Sequence, residues 1–98
     1  MMYLCIFTFD SSKREAVLKR RALGGEKAPK GLRVLMELVD LTQNRAFRLC
    51  EAEDPSEIMI ANEAWSDLGK IETIPVVESD DILQKLSRMK KDEIDTES

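Results

Sequence analysis

Two hydrophobic periods alternate along this chain, one of about two residues and one of about 3.6, and their order predicts a fold. Residues 3–9 (YLCIFTF) are apolar on both alternations, as in a strand buried on both faces. Asp10, Ser11 and Ser12 stop that run. Ser12 with Glu15 forms a capping box, which predicts a helix starting near Lys13. Val17, Leu18 and Ala22 give that helix its inner face, and Gly24 with Gly25 supplies a stop. A second strand is expected over residues 32–41 and a third over 45–53, with Thr42, Gln43 and Asn44 as a hairpin connection. Asp54 and Pro55 open a second helix, Glu57 completes its box, and Ile58, Ala61, Trp65 and Leu68 form its buried stripe. A fourth strand follows over residues 71–77, where Pro75 removes a ladder donor and favours an edge. Asp80 and Asp81 begin a last helix with Ile82, Leu83, Leu86 and Met89 expected inward. Its basic residues Arg88, Lys90 and Lys91 lie toward the far end, the orientation that the helix dipole favours.

Strand, helix, strand, strand, helix, strand, helix is a split β-α-β plan with one helix added. The expectation is an α+β, ferredoxin-like βαββαβ domain plus a C-terminal helix. Its four-stranded antiparallel sheet should have the spatial order 4-1-3-2, with the first strand central and the helices on one face. A strand apolar on both sides needs two covers, and the first two helices supply one. That predicts a homodimer. Residues 1–91 are read as a single domain and residues 92–98, four of them acidic, as a disordered acidic tail.

Composition adds limits more than chemistry. A hydrophobic fraction of 43% over 98 residues supports one packed core. The net charge of −4 argues against nucleic acid as a partner. It is unevenly spread: residues 1–50 carry +5 and residues 51–98 carry −9. Cys5 and Cys50, each inside an expected strand, read as buried free thiols. The apolar start is too short for a signal peptide, and no run approaches the roughly 18 residues of a membrane span. A cytoplasmic chain without membrane contact is expected.

The chain has no histidine, which removes a His-based triad, a His haem ligand and most catalytic zinc sites. Two cysteines far apart make no CxxC motif, and the Gly24–Gly25 loop has neither a Walker nor a GxGxxG pattern. No metal and no cofactor is implied. Against that background five residues place polar or aromatic character where the pattern asks for aliphatic packing: Tyr3, Glu37, Arg48, Asn62 and Trp65. Pairing about Gln43 sets Glu37 near Arg48 across the hairpin. The plain reading is a surface ion pair worth roughly 0–1 kcal/mol. The functional reading puts the pair on the open sheet face, binding a polar group of a ligand. Trp65 is explained by core packing, or with Asn62 it borders a pocket between helix and sheet. Tyr3 starts a doubly buried strand, where its hydroxyl needs a partner. Lys27 and Lys30 are solvated loop lysines or an anion-binding lid.

Residues 51–55 (EAEDP), 65–68 (WSDL) and 72–76 (ETIPV) resemble the uncharacterised family called domain of unknown function 3303. So do residues 13–15 (KRE) behind the first strand and the hairpin from Asp40 to Arg45-Ala46-Phe47. The likeness covers about residues 2–78 and implies a subunit of the dimeric α+β barrel kind, with no established activity. The family pattern has a Trp-His pair where this chain has Leu38-Val39, so a role for that histidine does not transfer. Two function classes follow. One is a small homodimeric protein with a non-catalytic small-molecule-binding or regulatory role. The other is a cofactor-independent monooxygenase-like enzyme acting on a small aromatic compound.

Overall fold

A computed structural model describes residues 1–23 and 29–97. The strands are β1 (Met2–Thr8), β2 (Leu32–Val39), β3 (Arg45–Ala52) and β4 (Lys70–Val76). The helices are α1 (Arg14–Ala22), α2 (Pro55–Glu63) and α3 (Ser79–Glu97). All strand pairings are antiparallel and the order is β2-β3-β1-β4, the ferredoxin-like α+β plan expected from the sequence. β1 is central, and β4, which holds Pro75, is an edge strand.

The core lies between the sheet and the first two helices. Tyr3, Cys5, Leu32, Cys50, Ala52 and Ile58 are buried there together. Register explains the grouping: Tyr3 stands opposite Cys50 and Cys5 opposite Arg48, so these side chains share the face that the helices cover. The alternate residues Leu4, Ile6, Phe47 and Leu49 face the other way. No helix covers that second face among the described residues, and Met36 and Leu38 on it are more than half exposed.

β2 contains a bulge at Leu35. Val34 pairs with Cys50 and Met36 with Leu49, so one residue of β2 has no counterpart on β3. Before the bulge Leu32 and Val34 face the helices; after it Glu37 and Val39 do. The extra residue aims Glu37 into the covered side.

Several sequence expectations change or fall outside the described residues. A short 3-10 turn (Ser11–Lys13) precedes α1, and the Asp10 carboxylate, not Ser12, caps it by accepting the Ser12 amide at 2.9 Å. The helix stop at Gly24 and Gly25 and the lid residue Lys27 lie outside the described residues; Lys30 is exposed. α2 ends at Glu63, and Trp65 and Leu68 follow in tight turns closed by Trp65 N–H to Asn62 O and Leu68 N–H to Trp65 O, each 3.0 Å. Finally, Ile82, Leu83, Leu86 and Met89 do not point inward: they are 48–63% exposed. The reason is that no other element buries this stripe among the described residues. The radius of gyration is 18.4 Å, against about 13 Å for a compact chain of this length. α3 also runs to Glu97, past residue 91, where the sequence reading ends the domain and begins an unstructured tail.

Candidate functional site

A cavity of about 180 Å³ opens between the sheet and the pair α1–α2. β1 contributes Cys5 and Phe7, α1 contributes Val17, Leu18 and Arg21, and the hairpin contributes Glu37 and Arg48. Ala61 and Asn62 of α2 and Trp65 just beyond it complete the wall. The alternation of β1 and the helical spacing of Val17 and Arg21 bring these side chains to one place.

The aromatic part is built on Phe7. Its ring lies 5.7 Å from that of Trp65 in an edge-on arrangement and 5.5 Å from that of Phe9. Arg20 packs over Trp65 at 5.5 Å and donates to both carboxylate oxygens of Asp67 at 2.8 Å, and to Ala64 O at 2.9 Å. The Arg20 hydrogen bonds hold the Asp67 carboxyl below the usual carboxylate range. This one arginine ties α1 to the turn after α2.

The polar part is a row of charges. Glu37 sits directly opposite Arg48, which donates its Nε–H to Glu37 Oε1 at 3.0 Å. The other oxygen of Glu37 pairs with Arg21 of α1. One carboxylate thus bridges two guanidinium groups, with Glu37 31% and Arg48 29% exposed. Arg45 also lines the cavity but is held from below by Asp40, which accepts from its Nε at 3.0 Å and from Nη2 at 2.8 Å. Asn62 donates to the Thr73 hydroxyl of β4 at 2.8 Å.

Four sequence candidates, Glu37, Arg48, Asn62 and Trp65, therefore meet around one cavity. The charged pair is on the helix-covered face, not on the open face proposed for its functional reading: Arg48 stands opposite Cys5, and the Leu35 bulge brings Glu37 to the same side. Tyr3 is buried on the same face but does not line the cavity; its hydroxyl lies 3.5 Å from the sulfur of Met1. The sequence reading missed Arg21. Its signal was the spacing of four from Val17, which puts a charge on the inner stripe of α1.

The two cysteines stay free and buried on adjacent strands, diagonal to each other. Burial pushes the Cys50 thiol up to about 11, so it is not a nucleophile near neutral pH. Among the described residues no group of three or more His, Cys, Asp or Glu side chains could hold a metal ion, and no helix is long and apolar enough to cross a membrane.

An antiparallel βαββαβ sheet roofed on one side and bare on the other defines a ferredoxin-like α+β domain. This chain belongs to the family described as Domain of unknown function (DUF3303), whose sequence profile matches residues 1–90. Among solved structures it is similar to a Deinococcus radiodurans protein provisionally described as an antibiotic biosynthesis monooxygenase. Identity is 13%, the match covers 80% of this chain and 93% of that one, and the TM-score is 0.40. No curated protein matches the chain.

Proposed function

We propose that this chain is a non-catalytic small-molecule-binding protein that works as a homodimer. The observation that carries the reading is the cavity between helices and sheet, with Glu37, Asn62 and the arginines at 21, 45 and 48 set into a wall that is mostly apolar and aromatic. Concave apolar sites with a few convergent polar groups are the usual form of a ligand pocket. The repertoire for catalysis is thin: there is no histidine, and the Cys50 thiol is held protonated.

The dimer reading rests on the bare sheet face and on α3. Four strands about 4.8 Å apart and about 23 Å long offer roughly 440 Å² in projection. That falls short of the roughly 800 Å² per partner in a standard interface. A helix of 19 residues adds a strip about 28 Å long and about 10 Å wide, which brings the total near that size. Both surfaces carry a run of apolar side chains, and a second copy of the chain offers the matching pair.

Native mass spectrometry of freshly purified protein tests both parts together. The expected result is twice the subunit mass, with a retained compound or with uptake of benzyl alcohol. A monomer at micromolar concentration sinks the dimer reading. Failure of any single-ring compound to bind sinks the ligand reading. Consumption of dioxygen with turnover of a retained compound would replace it with the enzymatic one.

A further inference from the structure

Resting on that ligand-binding reading, we propose that the cavity selects a compact single-ring monoanion, its carboxylate taken by the terminal nitrogens of Arg48. Three observations converge on this class of ligand.

The first is size. A cavity of about 150 Å³ lined by aliphatic and aromatic side chains accepts a benzene ring. This one, at about 180 Å³, has room for one ring with a small substituent. The second is shape and chemistry of the wall. Phe7 and Trp65 present an edge-on aromatic pair, with Val17 and Ile71 also lining the cavity. A flat ring can extend that edge-to-face arrangement.

The third is charge. The charged residues lining the cavity are Arg21, Arg45, Arg48 and Glu37. Asp40 neutralises Arg45, and Glu37 neutralises one of the other two arginines. One positive charge is left over, which calls for one anionic group. Arg48 is the more enclosed of the two, 29% exposed against 53% for Arg21, so the charge is assigned there. Of its five N–H groups only Nε–H has a protein partner among the described residues, and that partner is Glu37. The terminal nitrogens remain for a carboxylate, which a guanidinium fork grips with two parallel hydrogen bonds. Glu37 meanwhile fixes the plane of the fork. Glu37 is a positioning residue, and Arg48 is the binding one.

Isothermal titration of the full chain with benzoate, benzyl alcohol and benzylamine tests the assignment. Benzoate should bind at least tenfold more tightly than benzyl alcohol, with benzylamine the weakest. 1-Naphthoate, the same charge on two rings, should bind more weakly than benzoate. In Arg48→Met the preference for benzoate over benzyl alcohol should vanish. Should that variant fail to fold, Arg48→Lys keeps the charge and loses the fork, and the preference should fall several-fold. Equal affinity of wild type for benzoate and benzyl alcohol overturns this proposal and leaves the ligand-binding reading standing. So does an unchanged preference in both Arg48 variants. If none of the three single-ring compounds binds, both are overturned.

Discussion

Asp40 carries the heaviest hydrogen-bond load of the β2–β3 hairpin. Its carboxylate accepts five hydrogen bonds: from the Thr42 amide and hydroxyl, the Gln43 amide, and two nitrogens of Arg45. Those bonds, led by the Thr42 hydroxyl, hold its carboxyl far below the ordinary carboxylate range. A depressed folded-state value stabilises the fold above the unfolded-state value of about 3.9 and is lost as pH falls through the folded one. The urea midpoint of the wild type should therefore fall as pH drops below about 4, and Asp40→Asn should flatten that slope. An identical slope in the variant would rule the assignment out. Cys50 makes the opposite case: with 1% exposure and a value near 11, it should resist alkylation at pH 8 until urea unfolds the chain. At this scale the Glu37–Arg48 ion pair was legible, because hairpin symmetry needs only the turn and the residue types. Arg21 was legible only as a charge on the inner stripe of α1; its pairing with Glu37 was not, because the sequence gives no distance between α1 and β2.

Elements followed the sequence where the hydrophobic period was strong. β1 reads as a central strand from its double apolar alternation, and its neighbours on both sides bear this out. The bulge in β2 could not be read, since residues 32–39 are mostly apolar on both alternations and a slip of one leaves no mark in the pattern. Its weight can be measured. Deleting Leu35 restores unbroken pairing and leaves Glu37 opposite Arg48 and Val39 opposite Ala46, on the covered face. The urea midpoint should drop less than in Glu37→Gln, since the deletion keeps Glu37 between its two arginines and the substitution removes its charge. Gly69 offers a second test. A Cβ there would fall 2.4 Å from the Thr8 carbonyl and 2.9 Å from the Phe7 ring, a backbone and a packed aromatic that cannot swing aside. Gly69→Ala should cost about 1–3 kcal/mol by chemical denaturation. At Gly31 the same Cβ would meet only the end of the Glu57 side chain, so Gly31→Ala should be milder.

The whole molecule measures 64 × 32 × 17 Å, with α3 standing off the body. The apolar stripe of α3 was visible in the sequence, but its direction was not: a stripe says that something covers it and never which chain supplies the cover. If a second copy does so, charge on either surface should break the pair. Leu38→Lys and Leu86→Lys alter side chains already more than half exposed, so the helical circular dichroism signal of each should stay close to wild type. Sedimentation equilibrium should then show a shift toward monomer in both. A monomeric wild type, or variants that still pair fully, would remove the second copy from the account.

The grip of Arg20 has a consequence in time as well as in structure. By joining α1 to the turn after α2, and by lying over Trp65, it should make the two roof helices move as one slab. A slab fastened at one end swings slowly, so a ligand beneath it would be trapped for longer than its affinity alone implies. Loosening the fastening with Arg20→Met should quicken arrival and departure by similar factors. Stopped-flow traces would then show faster exchange at nearly unchanged equilibrium binding, which is how a latch differs from a contact.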